Sequence, residues 1–523
     1  MHCGRVAFHV PGEPIAEGCP AGARADTQPK PVRFGRLFDP APEMSDDERK
    51  VLKAKLIDLG LLMNAPQAPL QDDGESDIPS GYTYLGQFIA HEITFDSTGD
   101  KTADGADFEN LATPHVDLDS LYGGKQGPSD RPELYEGGAL LKVGDTKDLA
   151  SVRKSFKNDL RRGAPDDPKK ALIGDPRNDE NLPLAQTHLA FIRFHNKVVE
   201  TLDKNGHDKD SLFECARALV TRHFQWIVLY DYLPRLVDKE VLDCVLRHGC
   251  RWFKPAPGEL FMPLEFSAAA FRIGHSMVRR TYQWNDRHST KQFGDVVSDK
   301  SVGIAQLFDQ TARSGNLGGP DNHVLMSDWV IDWRRFYDFT PLGHIPPPPK
   351  INMASKLDTN LNFRLNSVVP SGGDPADDEQ AKSISVRNLR RGFYLRLPTG
   401  EEVAKRIGET PLKPEEVAAG PHHEKLSDPV FFGRTPLWYY ILKEAELAGG
   451  SRLGRVGSRI VAETLVGLVE NSSPSIRKER DWRPTFGRHD AEHGVTHFEM
   501  IDLLNFADVV DPIGRLDAEF VHH

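Results

Sequence analysis

The chain has 523 residues, enough for a sizeable buried core in one large unit or several smaller ones. Hydrophobic residues make up 39% and charged residues 27%, as in ordinary globular proteins, and Lys+Arg 65 against Asp+Glu 77 leave a formal charge of −12. That acidic balance argues against non-specific nucleic-acid binding, which needs excess cations to displace phosphate counterions. Five cysteines (Cys3, Cys19, Cys215, Cys244 and Cys250) make neither a dense disulfide framework nor a CxxC zinc pattern. The N-terminus lacks the charged segment and apolar run of a secretion signal, and no stretch approaches the ~20 apolar residues of a membrane span. The expectation is a cytoplasmic protein without a membrane span, a monomer or small homo-oligomer, with leaderless export left open.

Residues 1–44, rich in Pro, Gly and Arg and without periodicity, read as an extended arm or a disordered tail, and 45–523 as a single domain. From Ser45 a capped, acidic start opens an amphipathic helix that runs to about Met63. Further helices are expected at 81–95, 149–162, 182–205, 209–232, 265–280, 327–336, 385–391, 400–407, 437–448 and 452–470, with few alternating β-branched runs between them. The fold class is mostly α with very little β. The Pro-rich 341–350 and the acidic Gly/Pro stretch 370–380 read as surface loops, because neither propagates a helix.

Helical spacing over 81–95 puts Tyr84, Gln87, Phe88, His91 and Phe95 on one face, so a Gln and a His lie in an aromatic stripe. Burying such groups costs ~1–3 kcal/mol each unless they find partners. Either the core satisfies them or the stripe faces a functional cavity. In Phe266–Met277, His275 follows Arg272 by three residues, with Ala268 and Gly274 nearby. Small residues beside a His suit close helix packing, and they also admit a flat group such as haem, with the Arg suited to a propionate.

Gly174–Asn181 precedes the helix from Leu182 and carries Arg177, Asp179 and Glu180 at its entrance, where acidic residues commonly complement the helix dipole. His188 and His195, on that helix, read as structural. Between Thr113 and Gly123, Thr113, His115, Asp117 and Asp119 alternate. Such alternating oxygen donors wrap Ca²⁺, and they equally suit a solvated turn.

Taken in order, these segments resemble the peroxidase–cyclooxygenase superfamily of animal-type haem peroxidases, in particular its bacterial members. The resemblance covers Arg33–Phe38, Gly81–Asp96, Asp117–Gly123, Gly174–Asn181, Phe266–Val278, Asn388–Gly392, Thr435–Tyr440 and Trp482–Phe486. It implies one helical catalytic domain over 45–523 that uses hydrogen peroxide to oxidise small organic donors and bromide, iodide or thiocyanate. In that frame His91 is similar to the distal histidine, with Gln87 one turn before it, and Arg177 to the distal arginine. His275 corresponds to the proximal iron ligand and Asn388 to the residue that accepts from its imidazole. Arg272 and Arg391 correspond to arginines near the haem propionates. The family chemistry is heterolysis of peroxide by the distal His and Arg, with a ferryl intermediate.

The implied cofactors are haem b and calcium, the latter at Glu92, Thr113, His115 through its carbonyl, Asp117 and Asp119. Departures narrow this reading. Ala90 stands where the family has one ester-forming Asp, so at most one ester to haem is expected, through Glu180. Asn181 replaces a sulfonium-forming Met, which counts against strong chloride oxidation. Glu92 replaces a shorter Asp. The fatty-acid dioxygenases of the same superfamily carry a radical-forming Tyr where this chain has Arg272, and a non-catalytic haem-binding protein is the remaining alternative.

Overall fold

The computed structural model describes residues 32–64, 75–95, 109–124, 127–147, 156–293, 296–348, 350–367, 382–490 and 495–512. In chain order its helices are α1 (Asp46–Met63), α2 (Gly81–Ile93), α3 (Asp119–Tyr122), α4 (Leu182–Lys204), α5 (Leu212–Ile227), α6 (Leu233–Leu236) and α7 (Lys239–His248). There follow α8 (Ile304–Asp309), α9 (Ile384–Tyr394), α10 (Gly400–Ile407), α11 (Pro414–Ala418), α12 (His423–Leu426), α13 (Leu437–Leu447), α14 (Arg455–Asn471) and α15 (Met500–Phe506). Strand pairing among the described residues is confined to two- and three-stranded ribbons, so the mostly-α expectation holds. None of the described helices is long and apolar enough to cross a membrane.

The inner helices are those whose sequences leave no polar face. Along α2 all but Gln87, Ala90 and His91 are buried. Phe88 stacks on Phe191 of α4 at 4.7 Å, and Phe224 of α5 closes on both rings edge-on. This aromatic triple fixes α2 against α4 and α5, each ring burying an area worth several kcal/mol. The start of α2 is equally constrained, since a Cβ at Gly81 would collide with Tyr337. A capping box between Ser45 and Glu48 opens α1 as expected. Further along α1, Gly60 lets its backbone meet that of α9 at Val386, and Ser385 Oγ donates to the Gly60 carbonyl at 2.6 Å.

Of the expected arm, the part from Val32 is described: Val32–Gly35 runs antiparallel to Glu109–Asn110 and parallel to Met262–Pro263. Just beyond it, the backbone N–H groups of Leu37 and Phe38 donate to the Glu265 carboxylate. The chain start is thereby pinned to the residue that opens the His275 segment.

Several expected helices take another form. The stretch 149–162 was expected to be helical; its described end is instead the strand Lys157–Leu160, paired with Val143–Asp145. Here Asp159 is buried by an ion pair, so the spacing of Phe156 and Leu160 did not report a helical face. Residues 265–280 are not one regular helix: a wide π turn (Phe266–Ala270) gives way to a tight 3₁₀ turn (Arg272–His275). Phe271 stacks back on Phe266 at 4.5 Å and Arg272 Nε donates to the Ser267 carbonyl, which closes the first turn and restarts the chain. Residues 327–336 form two 3₁₀ turns, because Asn285 and Trp284 take the carbonyls of Asp328, Trp329 and Val330. Helices α7 and α15 were not expected. Residues 340–348 of the first loop contain one 3₁₀ turn, Thr340–Leu342; 370–380 lie outside the described residues.

One buried ion cluster holds the entrance to α4. Arg162 donates to Asp179 through Nη1 and Nη2 at 2.7 and 3.0 Å, and to Asp159 through Nε at 2.9 Å, with all three side chains at most 3% exposed. The carboxylates also accept the backbone N–H groups of Leu325 and Ala312. Replacing Arg162 by Leu leaves two buried carboxylates without a cation and is expected to cost about 3–5 kcal/mol of unfolding free energy. Adding Asp159→Asn and Asp179→Asn should recover much of it. Urea melts check this, and a loss under about 1 kcal/mol would class the cluster with exposed ion pairs.

Candidate active site

Helix α2 and the 3₁₀ turn Pro176–Asp179 bring the distal candidates together. His91 Nδ1 lies 2.9 Å from Asn178 Oδ1, and Asn178 Nδ2 lies 3.0 Å from Nδ1 of His188. Burial pushes His188 down to about 4, so it is uncharged at neutral pH. Asn178 turns its amide nitrogen to His188 Nδ1 and its oxygen to His91 Nδ1, which makes the former an acceptor and places the His91 hydrogen on Nδ1 and the lone pair on Nε2. His188, expected to be structural, thus stands at the far end of the chain that orients the candidate base. Nε2 of His91 makes no hydrogen bond with a described residue; the nearest charge is Glu180 Oε2 at 3.9 Å. Burial, and then the nearby Arg177 guanidinium, hold His91 below the usual 6.5, against opposing pulls from Glu180 and Asp175.

Arg177 donates to both carboxylate oxygens of Asp175 and, through Nη2, to the His91 carbonyl at 2.8 Å. Its guanidinium lies over the Phe95 ring at 4.2 Å. Nη1 is the nitrogen left without a described partner. Gln87 stands one turn before His91 and accepts from Asn181 Nδ2 at 3.0 Å, so its own amide nitrogen faces no described acceptor. Asn181 does two jobs, since its oxygen also caps α4 at Leu184 N. Tyr84 and Phe88 point away into the core, Tyr84 bonded to Tyr282 at 2.7 Å. Glu180 meets Arg313 Nε at 3.4 Å.

On the proximal side, His275 Nδ1 lies 2.8 Å from Asn388 Nδ2, while Arg272 Nη1 donates to Asn388 Oδ1 at 2.7 Å. The expected contact is present but its direction is reversed: Arg272 claims the oxygen, so the amide nitrogen donates to the imidazole. Arg272 is thus engaged within the protein by Asn388 and Ser267. Burial, then Arg272 and Arg387, push His275 down to about 3, and its Nε2 makes no hydrogen bond with a described residue. Arg391 stands one turn beyond Asn388 on α9, partly buried.

The expected calcium donors gather beside α2, bound to one another. Glu92 accepts the N–H groups of Asp119 and Ser120, both at 3.0 Å; Asp119 takes the Thr113 hydroxyl at 2.9 Å and Arg217 at 3.0 Å. His115 and Asp117 lie in the same loop, and the Asp117 carbonyl accepts from Thr221. Burial, then Asp119, push Glu92 up to about 7. Among the described residues no three His, Cys, Asp or Glu stand ready to hold a metal.

Sequence reasoning passed over Asp175, Asn178, Arg313 and Arg387. Asp175 and Asn178 sat within the quoted Gly174–Asn181 segment, flanking Arg177. Arg313 and Arg387 had no local signal.

Two neutral imidazoles, each touching an asparagine and each with an uncommitted Nε2, thus stand among arginines in a helical fold. Residues 78–325 match the family described as animal haem peroxidase. The peroxidasin homolog of Caenorhabditis briggsae is 28% identical over 256 residues, 47% of this chain and 18% of that protein. Lactoperoxidase of Mesocricetus auratus is 30% identical over 156 residues, 29% of this chain and 20% of that protein. The chain thus spans a fifth or less of the length of these curated relatives. Among solved structures, peroxidase A from Dictyostelium discoideum shares the fold with a TM-score of 0.56 at 15% identity, over 87% of this chain and 91% of that one. Fatty acid alpha-dioxygenase of Oryza sativa does so with 0.57 at 12% identity, over 92% and 79%.

Nitrogen NMR of the histidines should find His91 with its hydrogen on Nδ1 and a titration midpoint below 6.5. Because Glu180 raises that midpoint and Arg177 lowers it, Glu180→Gln should move it further down and Arg177→Gln up. A midpoint at or above 6.5, or shifts of opposite sign, would contradict this account.

Proposed function

We propose that this protein is a haem-dependent peroxidase that uses hydrogen peroxide to oxidise small organic donors and the anions bromide, iodide or thiocyanate. The observation that carries the reading is the His188–Asn178–His91 chain, which holds a neutral base with its lone pair directed away from its partners. The site suits haem: His275 is neutral with an uncommitted Nε2, and Arg272 and Arg391 bring cations that match propionates. When bound, haem supplies the iron that receives peroxide and the redox equivalents passed to the donor.

In this proposal, His91 accepts a proton from hydrogen peroxide at Nε2 and returns it to the departing oxygen as water leaves. Arg177 offers Nη1 to the negative charge that builds on that oxygen. Gln87, its oxygen tied to Asn181, offers its amide nitrogen to a small anion. His275 would hold the haem iron through Nε2 with its hydrogen on Nδ1, and Asn388 would then face that hydrogen with Oδ1, the atom that Arg272 now occupies. Glu180 is the acid that would carry one ester to haem. The position occupied by a phenol in the dioxygenases is Arg272 here, which leaves the dioxygenase reading with the shared fold as its support.

Protein reconstituted with haem should show a Soret band that shifts on a peroxide pulse and returns as a chromogenic donor is consumed. His91→Ala should keep the haem and lose about 10²–10⁴ of turnover, whereas His275→Ala should lose or loosen the haem itself. Unchanged turnover in the first or a normal haem spectrum in the second would reject the assignments. Acid–acetone extraction that removes all haem after peroxide treatment would exclude the Glu180 ester.

Calcium belongs to the proposal at Glu92, Thr113, His115, Asp117 and Asp119, an oxygen set suited to that ion once Glu92 exchanges its backbone donors for it. Since the folded Glu92 sits near 7, the charged ligand forms as pH rises through neutrality. Calorimetry should show proton release on Ca²⁺ binding at neutral pH and tighter binding from about pH 6 to about pH 8. No binding at the upper end would remove calcium from the account.

A further inference from the structure

Three arginines act on the two imidazoles and another, Arg313, reaches Glu180 beside His91; three of the four are taken. Arg177 is held by Asp175, Arg313 by Glu180, and Arg272 by Asn388 and Ser267. The fourth, Arg387, stands on α9 one residue before Asn388 and one turn before Arg391. It is only partly exposed, and its guanidinium makes no hydrogen bond or ion pair with any described residue.

Its charge acts on His275 and feels Glu180, so it lies within electrostatic reach of one residue from each group. Burial, the first of these influences, makes the cation harder to keep, and Glu180 offsets this only in part. A guanidinium largely withdrawn from water without an anion is a costly arrangement, and it is relieved when a ligand supplies the anion. The planar fork of five N–H donors pairs best with a carboxylate, through two parallel hydrogen bonds.

We propose that Arg387 is the carboxylate anchor of this pocket, holding either a propionate of the haem or the carboxylate of an acidic organic donor. The proposal rests on the haem reading above and adds a residue to which neither the resemblance nor the sequence pattern gave a role.

The test compares haem with its dimethyl ester, in which both propionates are blocked, by quenching of tryptophan fluorescence in the haem-free protein. Wild type, Arg387→Gln and Arg387→Lys are measured, with circular dichroism to verify folding. If the anion is a propionate, Arg387→Gln should bind haem roughly ten- to a hundred-fold more weakly, with the diester little affected, and Arg387→Lys should recover part of the loss. If the carboxylate comes from the donor, haem binding is unchanged. In that case KM for a carboxylate-bearing phenol rises by a similar factor in Arg387→Gln, while KM for its methyl ester and kcat for both stay the same. A folded Arg387→Gln protein that changes neither discrimination overturns the proposal. Failure of the wild type to bind haem overturns the haem reading and this proposal together, and is told apart because it does not depend on residue 387.

Discussion

The buried guanidinium of Arg162 is the constraint from which the distal side of the pocket follows. Its two carboxylate partners come from a strand and from the turn ahead of α4, so one cation ties those two segments together. Asp179 is consecutive with Asn178 and Glu180. Once its carboxylate is fixed, Asn178 has little freedom except to sit between His188 and His91, and Glu180 little except to face the pocket. Arg177, tethered by Asp175, completes a four-residue turn in which every side chain has an assigned direction. The arrangement is expensive in desolvation, and it persists because both carboxylates take backbone N–H groups as well as the guanidinium.

Burial governs the chemistry of the imidazoles more strongly than their charged neighbours do. For His91, His188 and His275 the withdrawal of water is the leading influence, and all three are held neutral near pH 7. Neutrality leaves His188 able to accept from Asn178, and in the proposed function it leaves His91 free to act as a base and His275 as an iron ligand. The same withdrawal applied to a carboxylate works in the other direction, and Glu92, the residue after His91, is pushed toward the protonated form. One helix thus carries, at adjacent positions, an imidazole kept unprotonated and a carboxyl pushed toward its protonated form.

Long amphipathic helices were legible because their periodicity repeats over several turns; α1, α4, α9, α10, α13 and α14 begin and end within a few residues of where the pattern places them. Helix α7 hid behind Pro234, and α15 is two turns long, too short for a pattern to accumulate. The strand Lys157–Leu160 was misread because a buried Asp looks polar in sequence while its ion pair is invisible there. His91, Arg177, Glu180, His275 and Asn388 were legible through the resemblance, and the structure brings the first three together and joins the last two. What sequence left out is direction. The resemblance placed Asn388 against His275, but only Arg272 decides which end of the amide faces the imidazole. His188 looked like a core residue, and it is one, yet its tautomer passes through Asn178 to the base.

The pocket is assembled from pieces far apart along the chain: α2, the turn before α4, the His275 turn and α9, with the N-terminal strand docked beside residue 262. Pairings of such sequence separation form late in folding, because loop closure has to be met before the contacts reward it. During synthesis, the distal wall can form while the proximal ligand is still unmade, and Asn388 emerges more than a hundred residues after His275. A cofactor that needs both sets of residues would have nowhere to settle until α9 has left the ribosome. On the proposed function, haem capture therefore waits for α9, and a product that stops short of α9 would expose aromatic core surface.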